Sequence, residues 1–162
     1  MTQFEPAVLA LAQALHARGW MIATAESCTG GLIAAACTAV AGSSDWFERG
    51  FVTYSNAAKS ESLGVPQALI AAHGAVSAEV AGAMAEGALA HSKAQLAVAV
   101  TGIAGPSGGS PGKPVGTVWL ALARRGGGAE AELLTLCGDR AAVREQTVQH
   151  ALRRMLACTA RG

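Results

Sequence analysis

No CxxC pair and no HxE element occurs among the 162 residues, and the four cysteines, Cys28, Cys37, Cys137 and Cys158, are irregularly spaced. Zinc sites and secreted disulfide frameworks both need patterned cysteines, so reduced thiols, no metal and no cofactor are expected. Charge is also scarce, at 14% of residues with a net +1. Beyond Arg124-Arg125 and Arg153-Arg154 there is no basic run. A nucleic-acid partner requires clustered cations to displace counterions from phosphates, so none is expected. The apolar runs are too short to cross a bilayer, which argues against a membrane partner. The N-terminal stretch MTQFEPAVLALAQALHARGW carries Glu5 early and is broken by Gln13, His16 and Arg18. That is neither a signal-peptide nor a transit-peptide layout, and the expected compartment is the cytoplasm.

What the sequence does have is a hydrophobic content of 51% in a length suited to one domain spanning 1–162. Phe4, Val8, Leu11 and Leu15 recur at helical spacing and predict a helix over 3–18 that stops at Gly19, with a strand over 21–25. The turn ESCTGG and a small-residue helix follow. A second strand is predicted over 50–54, then a helix from about 57 capped by Ser55 or Asn56, which puts Lys59 in an early turn. Residues 77–92 read as a glycine-containing helix with Ser77 as its cap, and LAVAVTG at 96–102 as a buried central strand. The Gly/Pro/Ser-rich stretch 102–114 is a binding-type loop. Strands at 115–123 and 131–136 form a hairpin around Gly126-Gly127-Gly128, and a helix over 140–158 closes the chain. Helices alternating with buried strands define an α/β sandwich on a mixed sheet, with ligands gathering at one edge of the strands.

Ser27 stands between a strand and Thr29-Gly30-Gly31. At that position the N–H groups and dipole of a helix start favour negative charge and would hold an oxyanion. A serine needs a base, and none of His16, His73, His91 and His150 completes a triad. Lys59 is the better base, because an apolar, partly buried site lowers a lysine's proton affinity, with Tyr54 to relay or orient the proton. The same residues also read as a helix cap, a solvated charge and a sheet-edge aromatic. Cys28 is a rival nucleophile at the same helix start. Glu26 either holds the lysine or tunes the site, or else acts as a structural acceptor in the turn. Thr101-Gly102 opens a loop able to lay N–H groups on a phosphate. Arg140 and Arg144 share one face of the last helix and suit a phosphate or carboxylate, while Asp139 caps that helix.

The segments TAESCTGG (24–31), GSSDWFERGFVTYSNAAKSESLGV (42–65), HGAVS (73–77), TGIAGPSGGSPGKPVGTVW (101–119) and GDRAAVR (138–144) resemble the nicotinamide-nucleotide amidase family, also called the CinA C-terminal domain or PncC family. The resemblance covers nearly the whole chain. It implies a three-layer α/β/α sandwich around a mixed, mostly parallel sheet, and a standalone amidase that converts nicotinamide mononucleotide to nicotinate mononucleotide and ammonia. It implies Ser27 as nucleophile, Lys59 as its helper and Tyr54 beside them. Thr101, Gly102 with the GIAGP loop, and one of Arg140 and Arg144 are implied around the nucleotide, while the backbone N–H groups of Cys28, Thr29 and Gly30 are expected to hold the oxyanion. It also implies a homo-oligomer, for which Trp46 and Phe47 are the candidate contact. Leu136 departs from the aromatic expected there.

Overall fold

Five strands form one sheet: β1 (Ile22–Glu26), β2 (Phe47–Val52), β3 (Leu96–Gly102), β4 (Thr117–Arg124) and β5 (Gly128–Thr135), in the order β2-β1-β3-β4-β5. The computed structural model describes residues 1–161. β1 pairs in parallel with β2 and β3, whereas β4 runs antiparallel to both β3 and β5. Only β4 is therefore reversed, and the sheet is mixed and mostly parallel. The fully buried β1 and β3 hold the middle, as a central apolar run requires.

The period-two alternation sorts side chains by size. Ile22, Leu96, Val98, Val100, Val118 and Leu120 face α1 (Glu5–Arg18), α2 (Leu32–Thr38) and α6 (Arg140–Arg161). Ala23, Ala25, Ala97, Ala99, Ala121 and Ala123 face the other way, toward α5 (Ala78–Ala90). Branched side chains fill the space under the first group of helices. Alanines let the glycine-containing α5 lie close to the sheet. α3 (Asn56–Leu63) and α4 (Gln67–His73) complete that second layer. The result is a three-layer α/β/α sandwich. Contact between α3 and α5 depends on Gly87, where a Cβ would stand 2.1 Å from the Leu63 carbonyl oxygen.

Local chemistry explains the ends of these elements. Gly19 ends α1 in the left-handed region, which a residue without Cβ enters freely. Ser55 caps α3 by accepting from Ala58 N, and Ser77 caps α5 by accepting from Val80 N. Asp139 caps α6 through Ala142 N. Two expectations need correction. β2 begins at Phe47 rather than residue 50, because the strand is a sheet edge whose polar Glu48 and Arg49 hide its pattern. Trp46 is 1% exposed in the core beside Ile22 and Cys37, with Phe47 packed against it, so it is no surface contact between copies. α4 was not anticipated. Among the described residues no helix is long and apolar enough to cross a membrane.

Candidate active site

β1 ends at Glu26, and the next residue leaves the sheet while its amide still bonds to the Val100 carbonyl of β3 (3.0 Å). This places Ser27 at the carboxyl ends of two parallel strands, where open α/β sheets collect ligands. Gly30 and Gly31, with φ of 61° and 104°, then reverse the chain into α2. On the alanine side, α3 points Lys59 inward. This lysine is 1% exposed, and its Nζ lies 3.1 Å from Ser27 Oγ. Nζ also donates to the carbonyl oxygens of Thr53 (3.0 Å) and Tyr54 (3.2 Å).

That triple contact defines a direction. A neutral amine has two N–H bonds and one lone pair. As an ammonium, Nζ donates to all three oxygens; once neutral, it can keep both carbonyls on its N–H bonds and turn its lone pair to the Ser27 hydroxyl. Burial, the largest influence, lowers the Lys59 pKa below its ordinary 10.5, although nearby Cys28 acts against it. Among the described residues no carboxylate forms an ion pair with the amine. Cys28 is buried as well, and burial pushes its thiol up to about 11. A thiol with that pKa is overwhelmingly protonated at neutral pH and makes a poor nucleophile.

Other residues singled out in the sequence fall around this pair in different ways. The Tyr54 phenol is 59% exposed and accepts from Arg140 Nη2 (3.1 Å), so it is the main-chain carbonyl of Tyr54 that meets Lys59. Arg140 Nη1 also donates to Gly105 O (3.0 Å), which ties α6 to the glycine-rich loop at the site mouth. Arg144 reaches Thr29 O (3.0 Å). Neither arginine forms an ion pair with a carboxylate among the described residues. Thr101 donates its hydroxyl to Ala75 O (3.0 Å). Gly102 is a glycine for packing reasons, since a Cβ there would sit 2.6 Å from Val118 Cγ2 and 2.8 Å from Thr117 O.

The start of α2 is not the free anion site that the sequence suggested. Its Ile33 and Ala34 amides donate to the buried Glu26 carboxylate at 2.8 and 3.0 Å. Glu26 is thus an acceptor that closes the helix end. Gly30 N is taken by Ser27 O (3.0 Å) and Leu32 N by Thr29 O (3.1 Å). Among the described residues the N–H groups of Thr29 and Gly31 meet no backbone or side-chain acceptor and that of Cys28 meets only its own thiol, so the turn itself carries the available donors. Sequence reasoning also missed the Thr53 carbonyl, because a main-chain acceptor leaves no trace in residue type.

Fold and site together define an α/β protein with a buried serine–lysine pair at the carboxyl ends of parallel strands. The chain belongs to the CinA C-terminal domain family, whose model matches residues 5–159. It is 55% identical to the nicotinamide-nucleotide amidohydrolase PncC of Escherichia coli K12, over 86% of this chain and 85% of that protein. A competence-damage inducible protein of Symbiobacterium thermophilum is 58% identical over 88% of this chain, which spans only 35% of that relative's length. Among solved structures, the CinA superfamily protein KP700603 of Klebsiella pneumoniae superposes with a TM-score of 0.93 at 40% identity, covering 98% of both chains.

Proposed function

We propose that the protein is a nicotinamide-nucleotide amidohydrolase that converts nicotinamide mononucleotide to nicotinate mononucleotide and ammonia, with Ser27 as nucleophile and Lys59 as base. The observation that carries the chemistry is the 3.1 Å approach of Lys59 Nζ to Ser27 Oγ, with two carbonyls taking the other bonds of the amine. The substrate follows from the relatives: the PncC proteins that match this chain over most of their length are named for this amide.

In this reading Lys59 takes the Ser27 proton as Oγ attacks the carboxamide carbon. The carbonyl oxygen gains a full negative charge, and the available Cys28 and Thr29 amides donate to it. As the tetrahedral intermediate collapses, the proton on Lys59 passes to the amide nitrogen and ammonia departs, leaving an ester on Ser27. Lys59 then deprotonates a water, which attacks the ester. The proton returns to Ser27 Oγ as nicotinate mononucleotide leaves. Arg140, whose guanidinium rests among the described residues on the neutral oxygens of Gly105 and Tyr54 at the site mouth, is positioned for the substrate phosphate. The free thiols Cys28, Cys37 and Cys158 lie buried and Cys137 is exposed, which fits a reducing compartment such as the cytoplasm.

The test is direct: purified protein is given nicotinamide mononucleotide, and ammonia and nicotinate mononucleotide are quantified. Equimolar release of both products is expected. Nucleotide binding without ammonia would instead identify a binding module.

A further inference from the structure

Glu26 is the buried carboxylate that the reaction as described does not use. It is wholly inaccessible, and among the described residues no lysine or arginine pairs with it. Its Oε1 accepts from Thr29 Oγ1 (2.5 Å) and Ile33 N (2.8 Å), and its Oε2 from Ala34 N (3.0 Å). Its own carbonyl accepts from Thr53 N (2.9 Å), the residue whose carbonyl holds Lys59. A carboxyl group in the core is costly unless its oxygens are hydrogen-bonded, and here three donors meet them.

The far side of the same turn is held too. Arg144 donates from α6 to the Thr29 carbonyl. Thr29, wholly buried, is therefore fixed by its hydroxyl from the end of the sheet and by its carbonyl from α6. The Cys28 and Thr29 N–H groups belong to the two peptide units that lead into this doubly held residue. A turn containing two left-handed glycines has alternative conformations available, so holding it in one of them needs external anchors.

We infer that Glu26 and Arg144 are positioning residues that hold Thr29 from both ends and thereby aim the Cys28 and Thr29 amides at the developing oxyanion. The inference rests on the amidohydrolase reading above. The hydroxyl of Thr29 serves as the inner anchor and does not contact substrate. Losing that anchor weakens the transition state without weakening ground-state binding of the nucleotide.

The decisive variants are Thr29→Val, which keeps the shape and removes the hydroxyl, and Thr29→Ser, which keeps it. With concentrations normalised to folded protein, Thr29→Val should lower kcat about 10- to 100-fold, part of the loss known for deleting an oxyanion donor, with KM within about twofold. Thr29→Ser should restore kcat to within about threefold of the parent. Glu26→Gln, which turns one acceptor oxygen into a donor, should follow Thr29→Val. If Glu26→Gln does not fold, the Thr29 pair decides alone. A parental kcat in Thr29→Val would overturn the inference, as would a rise confined to KM, or equal impairment of the Val and Ser variants. An inactive parent protein would instead defeat the amidohydrolase reading, so the two failures are distinguishable.

Discussion

Replacing Lys59 by methionine removes the amine while leaving a side chain of similar length and flexibility in the same buried site. Ser27 Oγ then loses the base at 3.1 Å and keeps only a long contact with Tyr54 O at 3.5 Å. General-base catalysis is worth about 10²- to 10⁴-fold, so kcat should fall by that factor, or about 2.7 to 5.4 kcal/mol in barrier. Stability should move much less. The Thr53 and Tyr54 carbonyls lose a donor, but the fold no longer holds a desolvated amine, and the two effects oppose. The pH dependence follows from the lowered Lys59 pKa. Below that folded-state pKa the amine is charged, has no lone pair and cannot act as base. Activity of the parent should therefore rise with pH along a limb lying below the ordinary lysine value, and the limb should vanish in the residual activity of Lys59→Met. Folding carries the matching sign. The penalty for burying the charged amine is fully present below the folded pKa and is relieved as pH rises toward the unfolded value of 10.5. Ammonia release across pH, with chemical denaturation of both proteins, measures all of this. Lys59→Met turning over at the parental rate would refute the reasoning.

Other consequences are spread across the structure. Arg140→Ala should raise KM for nicotinamide mononucleotide about 10- to 100-fold, the loss of about one charge-assisted bond, with little effect on the riboside that lacks the phosphate. Equal losses on both substrates would remove the phosphate role. Gly87→Ala places a Cβ 2.1 Å from Leu63 O and must push α3 away from α5. It should destabilise by about 1–3 kcal/mol, read as a lower Tm, and should also lower kcat because α3 carries Lys59. An unchanged Tm would show that α3 and α5 tolerate separation.

The parts of the fold legible in the sequence were those governed by local chemistry. The 3.6-residue spacing of Val8, Leu11 and Leu15, the caps Ser55 and Ser77, and the apolar run of β3 each state their own structure. The start of β2 is not legible because an edge strand with Glu48 and Arg49 lacks a clean alternation. α4 was hidden by its seven-residue length and by Gly64 and Pro66 just before it. Trp46 is ambiguous in the sequence because aromatic residues suit both cores and interfaces, and only packing, which buries it, separates the two. At the site, Ser27 and Lys59 could be named from residue type and spacing, but their contact depends on α3 crossing the end of the sheet. Main-chain groups were illegible: the Thr53 and Tyr54 carbonyls that orient Lys59 could come from any residue type. The separate placements of Arg140 and Arg144 are likewise tertiary facts, since one helical turn carries one to the Tyr54 phenol and the other to Thr29.

Turnover quenched with acid and followed by peptide mass spectrometry tests the proposed chemistry most directly. The nicotinate mononucleotide acyl group should be found on Ser27; Ser27→Ala should release no ammonia above background, and Cys28→Ala should remain active. An acyl group on Cys28, or undiminished ammonia release from Ser27→Ala, would contradict the account.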